Sequence, residues 1–139
     1  MINIYVIGVF DLFHTGHVEL LKRAKALGDR LIVAINSDRI VESYKRKPYI
    51  SERDRLAVVE ACRYVDEAFV IDTFDNKEAI VKNNINIIVH GSDWAGEGYM
   101  KQIRVDQVFL DNHGVSMVFL PYTQGISTSQ ILESIKKSM

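Results

Sequence analysis

The stretch Gly8-Val-Phe-Asp-Leu-Phe-His-Thr-Gly-His17 decides the fold. Before it runs Ile2–Ile7, short, β-branched and apolar, the pattern of a strand buried on both faces. After it, Val18, Leu20, Leu21, Ala24 and Leu27 recur at helical spacing, with Lys22, Arg23 and Lys25 between them. The loop therefore joins a buried strand to an amphipathic helix, and the spacing predicts that helix over 18–27. Gly28 is placed to end it in a left-handed conformation, which costs glycine little.

The same alternation continues outward. Leu31–Ile35, Ala68–Ile71, Ile85–Val89 and Met117–Leu120 read as four more strands. Ser51-Glu-Arg-Asp54 fits a capping box opening a helix to about Tyr64, with Leu56, Val59 and Cys62 inward. Asp75-Asn-Lys-Glu78 caps another, ending near Asn83–Asn84, and a last helix spans about Ser127 to Lys137. Strands alternating with helices over short links predict an α/β fold, a Rossmann-like parallel five-stranded sheet with helices on both faces. Two stretches fit poorly: the basic loop Ser43–Ile50 (SYKRKPYI) and the long, mixed Ser92–Gly114. Long loops in small domains are more often functional than accidental. In such a sheet, ligands sit at the carboxyl ends of the strands.

Composition narrows the function. A chain of 139 residues has room for a single domain, residues 1–139. Lys+Arg 17 against Asp+Glu 18 leaves a net charge of −1, so nothing overall draws it to nucleic acid or anionic lipid. A single cysteine, Cys62, allows no internal disulfide and reads as inert core. No apolar run nears the ~20 residues of a membrane span. The start MINIYVIG lacks the features of a signal peptide. The expectation is a cytoplasmic domain that neither enters membranes nor binds nucleic acid.

His14 and His17 are about one helical turn apart at a helix N-terminus, an end that carries partial positive charge and unpaired N–H groups. Two imidazoles aimed there donate to phosphate oxygens and steady charge that develops in a transition state. A zinc site is the competing reading, but two histidines make an incomplete shell. The plain alternative is a pair of helix-start residues without a role. No GxGxxG is present, which weighs against a dinucleotide dehydrogenase. Gly125-Ile-Ser127-Thr128-Ser129 opens the last helix and offers hydroxyls to phosphates, although Ser127 with Gln130 is also an ordinary capping box. Lys45-Arg46-Lys47 is either a solvated run or a cationic lid. Arg55 and Arg63 each read as surface charges. Asp93 and Trp94 follow the fourth strand, where a carboxylate and an indole can line a base pocket, and a structural Trp is an equal reading.

Gly8–His17, together with Arg63-Tyr-Val-Asp-Glu67 and Gly125-Ile-Ser-Thr-Ser129, resembles the cytidylyltransferase family within the HxGH nucleotidyltransferases. Over nearly the whole chain it is most similar to the small bacterial glycerol-3-phosphate branch. The resemblance implies transfer of CMP from CTP, with Mg²⁺, to a small alcohol phosphate such as glycerol 3-phosphate, giving CDP-glycerol and pyrophosphate. It also implies a homodimer, no metal site built by the protein, and a product feeding teichoic acid or capsule-like polymers. By the same resemblance His14, His17, Lys45, Lys47, Ser127 and Thr128 are catalytic. Val9, Phe10, Asp11, Gly16, Arg63, Asp93, Trp94, Gly125, Ile126 and Ser129 meet the nucleotide, and Asp38, Arg46, Arg55 and Tyr122 meet the substrate.

Three departures stand out. Tyr122 occupies the place of a family arginine, and a planar, always-charged donor is not replaced by tyrosine. The loop cations are offset, with Tyr44 and Arg46 where lysines are expected. Gly96–Gly114 is longer than its counterpart. Two alternatives stay open: a cytidylyl- or adenylyltransferase for another acceptor (ethanolamine or choline phosphate, a sugar phosphate, FMN), and a CTP or CDP-alcohol sensor without turnover.

Overall fold

In the computed structural model, which describes residues 1–91 and 96–139, five strands form one parallel sheet. They are β1 (Asn3–Gly8), β2 (Arg30–Asn36), β3 (Glu67–Ile71), β4 (Ile87–Gly91) and β5 (Ser116–Leu120), in the order β3-β2-β1-β4-β5. β1 lies at the centre, paired with β2 through Ile4–Leu31 and Val6–Val33 and with β4 through Ile4–Ile87 and Val6–Val89. The strand order reverses at β1, so its carboxyl end opens onto the crevice where ligands bind in such sheets.

Side chains of successive strand residues point to opposite faces, and the core divides accordingly. Tyr5, Ile7, Ile32, Ala34 and Ile88 pack on one face under α4 (Lys77–Lys82), α5 (Gly96–Gln102) and α6 (Gln107–His113), with Ile80, Tyr99 and Leu110 as the helical contributions. Ile4, Val6, Leu31, Val33, Ile35 and Val89 pack on the other, under α1 (Thr15–Lys25) and α3 (Glu52–Glu60) through Leu21, Ala24 and Val59. A short α2 (Asp38–Glu42) buries Ile40 and Val41, and α7 (Thr128–Ser138) closes the chain.

The expected fold holds, with local differences that have physical causes. Gly28 is not left-handed: α1 ends at Lys25 with Ala26 as its cap. Glycine is required there by closeness, since a Cβ would come within 2.8 Å of the Ile2 carbonyl oxygen. α3 stops at Glu60 rather than Tyr64. β4 begins at Ile87, two residues later than expected, because Asn84 turns left-handed (φ 52°) and Ile85 N–H still bonds Ile80 O at the end of α4. The stretch 92–114, unassigned in the sequence, holds α5 and α6 within its described part.

Candidate active site

The loop after β1 makes a sharp, strained exit from the sheet. Phe10 and Leu12 both take positive φ (56° and 51°), unusual for bulky residues. Two sets of hydrogen bonds hold them there. The Asp11 side chain is buried; its carboxylate accepts from the backbone N–H of Tyr49 (2.9 Å) and Ile50 (3.0 Å), and from Arg46 Nη1 (3.3 Å). Burial pushes this carboxyl up, but the two backbone donors and the guanidinium outweigh it and hold it below its ordinary value. Its backbone carbonyl accepts from Thr128 Oγ1 (3.0 Å). Asp11 therefore fastens both the basic loop and the start of α7 to the end of β1.

His14 and His17 form the N-terminal cap of α1. His14 Nδ1 accepts from Gly16 N–H (3.0 Å), and His17 Nδ1 accepts from His14 N–H (3.1 Å). Each neutral ring accepting at Nδ1 carries its proton on Nε2. The capping reading and the functional reading are thus the same geometry: capping fixes the tautomer that leaves two N–H donors for a ligand. The rings lie 3.9 Å apart between centroids, and His17 packs on Phe13 (5.3 Å) and Phe10 (5.5 Å). Burial, then the neighbouring His14, pushes His17 down to about 4; burial lowers His14 as well. At neutral pH both rings are uncharged donors. A Cβ at Gly16 would sit 2.7 Å from the His14 ring, so a side chain there would shift that ring.

Three cavities lie in a row at the carboxyl ends of the strands. The first, about 550 Å³, runs between His14, Gly16 and His17 on one side and the 121–127 turn with Gly125 and Ile126 on the other. The second, about 290 Å³, is walled by Val9, Phe10, Asp11, Lys45, Arg46 and Thr128. His17 and Tyr122 line both of these. The third, about 240 Å³, lies between Asn36, Asn76, His90, Tyr99 and Gln102, and shares Val9, Lys45 and His90 with the second. The half-exposed Tyr122 ring lies on Gly91 so closely that a Cβ there would fall 2.4 Å from it.

The structure sorts the expected site residues. Lys45 lines the second and third cavities, and burial, then Arg46, lowers its pKa. Arg46 lines the second while bound to Asp11. Lys47 lines none of these three cavities. Ser127 is the α7 cap, accepting from Gln130 N–H (3.1 Å), and also lines the first cavity. Ser129 is exposed and outside all three.

Arg63 is also absent from them. Because α3 ends at Glu60, Arg63 lies exposed in the following turn, its guanidinium over the Tyr64 ring (5.2 Å), beside Phe13 and Val18. Asp93 and Trp94 lie outside the described residues.

Arg55 corrects a sequence expectation most sharply. Its side chain is fully buried instead of lying on the surface. It donates to Val9 O (2.8 Å), Asn36 O (2.8 Å), Ile50 O (2.9 Å) and the Asp38 carboxylate (2.6 Å). Arg55 and Asp38 thus bind the protein's own loops, and neither lines the cavities. A signal for this existed: Arg55 stands four residues before Val59, on the stripe that α3 buries.

Comparison with known proteins agrees with this geometry. The sequence model of the cytidylyltransferase-like family matches residues 5–134. The glycerol-3-phosphate cytidylyltransferase of Bacillus subtilis is 39% identical over 97% of this chain and 98% of its own. That of Staphylococcus aureus is 32% identical over 97% and 96%. An ethanolamine-phosphate cytidylyltransferase of Dictyostelium discoideum is 38% identical over 95% of this chain but only 37% of its own length. Among solved structures, a lipopolysaccharide core biosynthesis protein of Thermoplasma volcanium superposes with a TM-score of 0.70 at 26% identity, over 88% of this chain and 97% of that one. With its capped histidine pair, its parallel sheet and a family match across nearly its whole length, the chain belongs to the cytidylyltransferase-like family and is a cytidylyltransferase.

Proposed function

We propose that the protein transfers CMP from CTP to glycerol 3-phosphate. The observation that carries this reading is the row of cavities, with His17 where the first meets the second and Lys45 where the second meets the third. A direct displacement at phosphorus needs three sites in line: leaving pyrophosphate, α-phosphate and acceptor phosphate. In this reading the β- and γ-phosphates lie against the α1 N-terminus and the start of α7, where His14 and Ser127 face each other. The α-phosphate lies in the second cavity, and the acceptor phosphate approaches past Lys45.

An oxygen of the acceptor phosphate attacks the α-phosphorus, forming a new P–O bond. The bond to the β-phosphate oxygen breaks, and pyrophosphate leaves with its electron pair. No proton has to move, because the acceptor phosphate is already ionised near neutral pH. Catalysis is positioning and charge stabilisation. His14 and His17 donate from Nε2 toward the leaving oxygens, and Lys45 with Arg46 offsets charge between donor and acceptor.

Mg²⁺ belongs with the nucleotide in this scheme. Among the described residues no three His, Cys, Asp or Glu side chains cluster, and the Asp11 carboxylate is already occupied by three donors. Such a donor set suits an ion carried in on phosphate oxygens and water. Its contribution is to neutralise triphosphate charge.

The test is pyrophosphate release from the purified protein with Mg²⁺ and CTP, across glycerol 3-phosphate, ethanolamine phosphate, choline phosphate and a sugar phosphate. Release that depends on glycerol 3-phosphate supports the reading. Release with another acceptor alone moves the specificity and keeps the chemistry. CTP binding without release in any mixture contradicts it.

A further inference from the structure

The third cavity contains polar groups that the fold buries and leaves without partners. The Tyr99 hydroxyl and the Gln102 Oε1 are both removed from solvent, and neither has a hydrogen bond among the described residues. Tyr99 is 1% exposed, its ring stacked on His90 (3.9 Å between centroids, 17° between planes) and edge-on to Phe119 (6.1 Å). Leaving a buried hydroxyl and a buried amide oxygen unpaired costs stability, and native proteins do so rarely outside functional sites. Both residues come from α5, three apart, so one turn of helix brings them to the same cavity.

Burial raises the Tyr99 hydroxyl pKa, so it stays a protonated donor at any working pH. Burial pushes His90 down to about 4, so it is neutral too. Among the described residues the cavity has no carboxylate, and Lys45 at its edge is its one charged side chain. A donor hydroxyl, acceptor oxygens and neutral rings beside a cation suit a phosphorylated molecule whose other end carries hydroxyls.

Resting on the transfer reading above, we propose that Tyr99 and Gln102 are the specificity-determining residues of the acceptor site. The acceptor phosphate lies at Lys45. Its polyol tail enters the third cavity, where one hydroxyl accepts from Tyr99 O–H and another donates to Gln102 Oε1. An acceptor whose other end carries no hydroxyl cannot make this pair of bonds.

The test compares kcat/KM for glycerol 3-phosphate and for ethanolamine phosphate in the wild type, Tyr99→Phe and Gln102→Met. Tyr99→Phe removes one oxygen and keeps the ring on His90. Thermal unfolding of each variant, with and without CTP, checks that fold and nucleotide binding survive. The expected result is a rise of about tenfold in KM for glycerol 3-phosphate in each variant, with KM for CTP nearly unchanged. The preference for glycerol 3-phosphate over ethanolamine phosphate should fall by about the same factor. A wild type that turns over glycerol 3-phosphate, with folded variants of unchanged preference, overturns the assignment and leaves the transfer reading intact. A wild type silent with both acceptors overturns the transfer reading and this assignment with it.

Discussion

His17 shows how one residue joins local structure to chemistry. Its Nδ1 completes the cap of α1, and its Nε2 proton is thereby left for the ligand. In the proposed mechanism, replacing it with alanine removes one donor to the leaving group, so turnover should fall on the order of 10²–10³-fold while CTP still protects the protein in thermal unfolding. Wild-type turnover in a folded His17→Ala protein would remove His17 from the mechanism. Gly16→Ala should also lower activity by at least about tenfold, through displacement of the His14 ring alone, because the Cβ would lie 2.7 Å from it. The pH dependence has a definite sign. His17 and His90 titrate near 6.5 when unfolded and near 4 in the fold, so the unfolded chain binds more protons between those values. Their contribution is complete above pH 6.5 and is lost as the pH falls toward 4, on the order of 3 kcal/mol for each. Urea midpoints measured from pH 7 to 4.5 should fall steadily, and a His17→Gln variant should show a shallower fall; parallel curves would contradict the account.

The elements are held by two polar staples, neither of them read from the sequence, which assigned Asp11 to the nucleotide and Arg55 to the surface or the substrate. Asp11 fixes the 44–50 loop through Tyr49 and Ile50, and Arg55 ties the ends of β1 and β2 to that loop. Removing one partner of a buried pair strands the other. Arg55→Leu should therefore destabilise the protein by about 3–5 kcal/mol, as read by denaturant unfolding, and Arg55→Lys should not restore it, since an ammonium cannot reach four acceptors in a planar fork. A change under about 1 kcal/mol would mean the clamp is dispensable. The strands and the α1, α3, α4 and α7 helices were readable because apolar periodicity and capping residues mark them locally. α5 and α6 were not, since Gly96–His113 mixes small, polar and apolar residues and its helices are short. The Arg55 clamp was missed because charge normally marks a surface, and only its position on the Val59 stripe spoke for burial. Tyr99 and Gln102 carried no local signal at all: their meaning comes from the cavity that β1, β2 and β4 bring beside α5.

At the scale of the molecule, the carboxyl edge of the sheet gathers segments distant in the chain around one row of cavities. In the proposed reading, residues 14–17 and 121–127 wall the pyrophosphate end, the strained turn after β1 and the basic loop hold the middle, and α5 encloses the acceptor end. The HxGH loop, the basic loop and the GISTS turn were legible as parts of one candidate site because each follows or precedes a recognisable element. Their linear arrangement was not, since it depends on the strand order β3-β2-β1-β4-β5. No described helix is long and apolar enough to cross a membrane. The central claim is a single in-line displacement without a protein nucleophile. It is tested most directly by the stereochemistry of transfer from one diastereomer of CTP carrying sulfur on the α-phosphorus. One displacement along the row of cavities predicts inversion at that phosphorus in the product; retention would require a covalent nucleotidyl intermediate and would contradict the account.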